Sequence, residues 1–167
     1  MADTMGKLKR SAHLFFIDAS FGGETPEWFL VGKDVEDMSI ELNPDTETTK
    51  NILDETSVND NGYEPSIDVD TYYANPSDGT FYNKIKNIAM NRLTGEACIT
   101  KCLEVLIDKT TGAYDAWQED CMIKPQSYGG AQGGVRIPYQ VMFCGNRTKG
   151  TATVTARVPT FTADAEG

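Results

Sequence analysis

Residues 41–70, ELNPDTETTKNILDETSVNDNGYEPSIDVD, contain strand-like ends on either side of a long polar segment. Apolar and polar residues alternate over residues 37–42 and again over residues 66–70. A period of two is typical of antiparallel strands with one buried face. We therefore expect strands at 37–42 and 66–70 that pair with each other, with residues 43–65 as the connection.

The connection, residues 43–65, is predicted to be a long loop without regular structure. It is polar and acidic, and it shows no clear period. Loops of this length are uncommon in compact domains unless they are functional or disordered. Ile52 and Leu53, with Val58 nearby, would be a liability on an isolated monomer but an anchor against a neighbouring subunit. We interpret the loop as a contact to another subunit.

The negative charge of the chain is concentrated around this loop. The 167 residues carry a formal net charge of −10. Residues 34–78 contain 13 acids and one base, Lys50, whereas the rest of the chain carries 12 acids and 14 bases. Nucleic-acid binders neutralise phosphates with Lys and Arg, so this balance argues against a protein that grips DNA.

The remaining pattern predicts a mainly β domain spanning residues 1–167, with one flanking helix. Further strands are expected at 12–18, 28–31, 99–108, 113–124, 135–143 and 150–157. In strand 113–124, Trp117, Cys121 and Ile123 share a face that Glu119 interrupts. A helical stripe begins at Phe81 and ends before Gly95. The fold class is a β-sandwich or partial barrel, with an N-terminal arm at 1–11 and a loose tail at 158–167.

We find no pattern that indicates catalysis, a cofactor or a metal. The single histidine, His13, lies in an apolar strand, where a structural role is expected. Nucleophile-elbow, phosphate-loop and zinc spacings are missing. An EF-hand alignment on Gly62 lacks the first Asp and the last Glu, so a solvated acidic loop is expected instead of a calcium site. The four cysteines (Cys98, Cys102, Cys121 and Cys144) are expected to be reduced, buried and inert.

No secretory signal or membrane-spanning stretch is recognisable, so synthesis in a cytosol is expected.

A series of segments in a fixed order resembles the major tail proteins, or tail tube proteins, of long-tailed bacteriophages and prophages. It runs through WFLVGKDVEDMSIELNPDTETTKNILDETSV, GYEPSIDVD, AMNRLTG, IKPQSYGG and FCGNRTKGT, from about Trp28 to Val154. Residues 1–10 and 157–167 show no such resemblance.

The resemblance implies a non-enzymatic virion protein made in the bacterial host cytoplasm. Six copies would form a ring that closes a shared β-barrel, and stacked rings would form the tail tube through which genomic DNA passes. The other implied partners are the tape measure, tail tip and terminator proteins. Residues 43–65 would be the loop between rings, with contacts from Asp45, Thr46, Lys50, Ile52, Leu53, Val58 and Tyr63.

By alternation, the polar faces of the strands become candidates for the lumen of that tube. These candidates are Ser39, Glu41, Asp68, Asp70, Gln118, Asp120, Gln140 and Met142. Acidic side chains facing DNA would repel it and let it slide.

Two alternatives stay open from the sequence. One is the inner tube protein of a contractile tail or tailocin, which has a related fold. The other is a monomeric carbohydrate-binding β-sandwich that uses surface tyrosines (Tyr72, Tyr73 and Tyr128) and the glycine loop at 129–134. A hydrolase that uses scattered carboxylates has no supporting motif.

Overall fold

A computed structural model describes residues 6–32, 35, 38–110 and 113–164. The expected strand start at Asp37, the end of the turn at 109–112, and parts of the N-terminal arm and C-terminal tail lie outside these residues. The strands are β1 (His13–Asp18), β2 (Trp28–Val31), β3 (Ile40–Glu41), β4 (Pro44–Lys50), β5 (Thr56–Tyr63), β6 (Ser66–Val69), β7 (Ile99–Leu106), β8 (Tyr114–Pro125), β9 (Tyr139–Thr155) and β10 (Val158–Ala163). The helix α1 is Thr80–Asn91, and 3-10 turns lie at Arg10–Ala12, Pro76–Asp78 and Gly95–Cys98.

Eight strands form one curled, half-barrel sheet, which confirms the predicted mainly β class with a flanking helix. Its order is β2-β1-β7-β8-β9-β6-β3, with β10 paired to β9, and the pairs are antiparallel. The expected pairing of the strands that flank 43–65 is also confirmed, because Ile40 lies opposite Ile67 and Glu41 opposite Ser66. The first of these strands is short, only two residues.

The main core lies between one face of the sheet and α1. Phe81, Ile85 and Ala89 of the helix pack in the same cluster as Ile123 and Val141 of the sheet. The periodicity of the predicted helix is therefore confirmed. The helix ends earlier than predicted, because Arg92 adopts a left-handed conformation (φ 52°) and donates its backbone N–H to the carbonyl of Ile88.

A second, smaller core covers the other face of the sheet. Phe16, Leu103, Val105, Ala116 and Ala152 are its buried residues. Part of that face is covered by β10, whose Phe161 packs against this cluster and lies opposite Ala152. Residues 158–163 are thus a paired strand and not the loose tail that we expected from their composition.

The segment predicted as two strands, 135–143 and 150–157, with a turn between them is one strand, β9. Gln118 of β8 pairs with Thr148 of β9, and Cys121 of β8 pairs with Phe143 of β9. These two pairs are three residues apart along β8 but five residues apart along β9. The two extra residues form a bulge where Gly145 (φ 107°) and Asn146 (φ 59°) have positive φ. The turn-like residues at 144–147 therefore mark a bulge within a continuous strand.

Candidate functional site: an exposed ribbon and a polar sheet face

The segment predicted as an irregular loop is a two-stranded ribbon. β4 and β5 pair with each other, from Thr46 opposite Asp60 to Lys50 opposite Thr56, and form a sheet separate from the main one. All of β4 is exposed, and so is β5 except the half-buried Gly62. Because both faces meet water, the sequence carries no alternation of hydrophobicity. The threonines of this segment, a residue type that favours strands, were the sequence feature that could have predicted the ribbon.

The base of the ribbon is fixed by Asn43, which separates β3 from β4. Its φ of 46° is a conformation that Asn tolerates better than most residues. The Asn43 side-chain amide donates to the Glu64 carbonyl at 3.0 Å and to Ser66 Oγ at 3.2 Å. The Glu64 backbone N–H in turn donates to the Leu42 carbonyl at 3.2 Å. These bonds tie the two legs of the ribbon together where it leaves the sheet.

The tip of the ribbon, residues 51–55, is organised by Asn51. Its Oδ1 accepts hydrogen bonds from the backbone N–H groups of Leu53 (2.9 Å) and Glu55 (3.0 Å), and its amide donates to Glu55 Oε2 (2.8 Å). This ordered turn presents Ile52, 99% exposed, and Leu53, 71% exposed. Two large aliphatic side chains held in water by a polar scaffold are characteristic of a contact site for a partner.

The predicted contact residues occupy different parts of the ribbon. Register places Thr46, Lys50 and Val58 on one face, with Asp45 on the other. Tyr63 is opposite Pro44 at the base and is 62% exposed. All seven predicted contact residues are thus exposed, but they do not form one continuous patch.

The predicted lumen residues fall largely on one face of the main sheet. Asp68 lies opposite Gln140, Met142 opposite Ser66, and Ser66 opposite Glu41. Gln118 and Asp120 continue this face on β8, away from the main core. Ser39 and Asp70 lie beyond the strand ends and are exposed. By alternation Lys101 shares the face, so its charge is more mixed than the acidic candidates suggested, whereas the ammonium of Lys124 donates to the Leu93 carbonyl at 3.1 Å.

A buried charge cluster lies on the opposite face of the sheet. Arg147 Nη1 contacts Glu104 Oε1 at 3.2 Å and Glu119 Oε1 at 2.9 Å, and His13 Nε2 is 3.6 Å from Glu104 Oε2. The guanidinium also lies over the Trp117 ring. Burial raises the pKa of Glu104, but hydrogen bonds with His13 and Arg147 outweigh it and lower that pKa below its usual value.

This cluster is better explained as structure than as a catalytic site. Both glutamates are less than 10% exposed, and each carboxylate is engaged by Arg147. The interruption of the stripe by Glu119, noted from the sequence, is explained by this pairing. The expected structural role of His13 agrees with its contact to Glu104.

The surface tyrosines and the cysteines are only partly as predicted. Tyr73 and Tyr128 are exposed, but Tyr72 is buried in the main core, and its hydroxyl donates to Asp78 Oδ2 at 2.9 Å. Cys98, Cys102 and Cys121 are buried as expected. Cys144 is exposed because it follows Phe143 at the start of the β9 bulge, so the prediction of burial was wrong for this residue.

Within the described ranges, no group of three His, Cys, Asp or Glu side chains is placed to hold a metal ion. No helix in the same part of the chain is long and apolar enough to cross a membrane.

No protein-family model and no curated protein sequence matches the chain. Solved structures do match. One is the sheath/tube terminator of the PVC extracellular contractile injection system in its extended state, at 8% identity and a TM-score of 0.51 over 88% of this chain and 99% of that chain. Another is the tube-terminating cap of the anti-feeding prophage, at 12% identity and a TM-score of 0.51 over 91% of this chain and 96% of that chain. At these identities the likeness establishes a shared fold.

Proposed function

We propose that the protein is a structural, non-enzymatic component of a phage-type tail, and specifically a subunit of the tail tube. The fold shared with a sheath/tube terminator and a tube-terminating cap supports the first part of the proposal. The observation that carries the second part is the β4–β5 ribbon. A two-stranded hairpin alone is marginally stable in water, so a ribbon exposed on both faces gains most from a partner.

The open edges of the main sheet support closure into a ring. β2, β3 and β10 are its edge strands, and each pairs with one strand in the described part of the chain. Free edges invite pairing with another chain, and a barrel shared between subunits removes them. In the proposed hexamer the edges of neighbouring copies meet around the ring, while the ribbon reaches the next ring and makes stacking open-ended. The proposed site of action is the virion tail.

A second candidate function is that of a tube terminator, which the two structural matches favour. A tube subunit is expected to stack without limit, whereas a terminator would end the stack. Mass photometry across a range of concentrations separates them. A tube subunit gives particles of six times 18.4 kDa that grow into a ladder of stacked rings. A single ring that never grows favours the terminator, and a monomer at every concentration argues against both.

A further inference from the structure

We propose that the ribbon tip of one subunit docks in an apolar groove beside β2 on a second copy of the chain. This inference rests on the proposed function, because it names the surface that receives the stacking ribbon. The groove runs between β1, β2 and the end of β9, and its volume is about 840 Å³. A cavity of this size accommodates a ligand much larger than two aliphatic side chains.

The groove is apolar on its walls. Leu14, Trp28, Leu30 and Val154 line it, and all four are partly exposed side chains at the margin of the second core. Covering them would remove further apolar surface from water, which favours docking. Ile52 and Leu53 are large exposed aliphatic side chains that suit such a surface.

The described part of the groove rim carries two bases, and the tip carries two acids, of which Asp54 also pairs with Lys50 of its own ribbon at 3.4 Å. Arg10 and Arg157 line the groove, and Asp78 is the one acid among its described lining residues. The tip carries Asp54 and Glu55 directly after Leu53, and residues 43–65 hold six acids and one base. Opposite charges on two surfaces favour the correct encounter and fix its register.

Both surfaces are preorganised, which reduces the entropy lost on docking. Asn51 holds the tip in one turn. Arg10 donates to the carbonyls of His13 and Met38, each at 2.9 Å, which fixes one side of the groove. Arg157 lies in the two-residue turn between β9 and β10, where positive φ at Ala156 and Arg157 fits the tight hairpin.

Photo-crosslinking maps the surface that receives the tip. A small fraction of isotopically heavy subunits with Leu53→p-benzoyl-phenylalanine is assembled with light wild-type subunits and irradiated. We expect heavy-to-light crosslinks on peptides that contain residues 28–31 and 154–157. Tubes whose crosslinks map elsewhere overturn the docking site but leave the proposed function standing. If wild-type subunits never assemble, both proposals fail.

A charge swap tests the electrostatic part of the docking. Arg157→Glu is expected to raise the concentration needed for stacking about tenfold, and adding Glu55→Arg to the same chain is expected to restore it. Lys109→Glu, an exposed base that does not line the groove, is the matched control and should change little. The proposed site is contradicted if Arg157→Glu and the control variant weaken stacking equally. It is also contradicted if Glu55→Arg fails to restore stacking while the single variants fold normally.

Discussion

At the residue scale, the sheet buries two carboxylates that share one arginine partner. Glu104 and Glu119 are held on one face by adjacent strands, and Arg147 forms an ion pair with each of them from the β9 bulge. Removing one partner of a buried ion pair leaves an uncompensated charge. Arg147 is therefore expected to be sensitive to substitution, although its side chain is 43% exposed.

Arg147→Met is expected to destabilise the subunit by about 2 kcal/mol. This is less than the roughly 3–5 kcal/mol of a fully buried pair, because solvent screens the exposed part of the guanidinium. Urea denaturation at pH 7 measures the difference. In the background Glu104→Gln/Glu119→Gln, the same Arg147 substitution should cost much less. An equal cost in both backgrounds would show that packing, and not charge, determines the effect.

The contribution of Glu104 to the pH dependence of stability should shrink in the Arg147→Met variant. In the wild type the folded-state pKa of Glu104 is lowered, so its stabilisation is present above about pH 4.3 and is lost as the pH falls through the lower folded value. Without Arg147 the lowering of this pKa is left to the His13 hydrogen bond, so the pKa should rise towards its usual value and less stabilisation should be lost as the pH falls. Denaturation between pH 3 and 7 measures both slopes. If the free energy of unfolding changes with pH equally in the wild type and the variant, this role of Arg147 beside Glu104 is contradicted.

Thiol reactivity should distinguish Cys144 from the other cysteines. Burial and the neighbouring Cys121, Asp120 and Glu119 raise the pKa of Cys144, so its thiolate is scarce at neutral pH. We expect one thiol to react slowly in the native monomer and all four after denaturation. Rapid labelling of two or more thiols in the native state would contradict the described burial.

The residue-level predictions succeeded where strand alternation alone decides burial. Cys121 and Ile123 lie on the predicted apolar face of their strand, and both are buried in the main core. Cys144 was missed because a bulge cannot be predicted from a two-residue period, and Tyr72 because its burial depends on how the following helix folds back to pack Phe81 against it.

At the scale of elements, the ribbon is the feature that sequence reasoning located correctly but described wrongly. The flanking strands were predictable because each has a core face and a polar face. The ribbon has no core face, so only its exposed apolar tip marked it as unusual. The joining of two predicted strands into β9 was missed for a related reason, since Gly145 and Asn146 are typical of turns as well as bulges.

The variant Ile52→Asp/Leu53→Asp is expected to abolish stacking while leaving the subunit folded. Both side chains lie outside the cores, so the melting temperature should change by no more than about 2 °C. Electron microscopy measures tube length and circular dichroism measures folding. Val135→Asp, at a half-exposed valine outside the ribbon, is the matched control. Long tubes from the double variant would disprove the role of the ribbon in stacking.

Asn51→Ala is expected to disorder the tip without affecting the main sheet. The substitution removes three hydrogen bonds within residues 51–55, each contributing about 1 kcal/mol, and the ribbon is a separate sheet. Hydrogen exchange should show faster exchange in β4 and β5 and unchanged protection in β7 and β8. Loss of protection throughout the chain would show that the ribbon and the main sheet unfold as one unit.

At the scale of the whole molecule, the curled sheet presents a polar face on β6, the end of β8 and the start of β9, and open edges at β2, β3 and β10. In the proposed tube, the polar face lines the lumen and its acids keep DNA from adhering. Lys101 on the same face makes that repulsion weaker than the acidic candidates alone suggested.

Reversing the acids of this face should convert the proposed conduit into a binder. Tubes assembled from Asp68→Lys/Asp120→Lys subunits are expected to retain double-stranded DNA at low salt and release it as salt rises, whereas wild-type tubes retain none. Filter binding measures retention. Glu96→Lys/Asp164→Lys, at two exposed acids outside this face, controls for net charge. Equal retention by the control would place the lumen on a different surface.

Negative-stain electron microscopy of the purified protein over a range of concentrations tests the central proposal most directly. A tail tube subunit predicts rings with a central hole at low concentration and stacked tubes of increasing length at high concentration. A uniform monomer at every concentration, with or without a tail-tip initiator, would contradict the assignment of this chain to a tail tube.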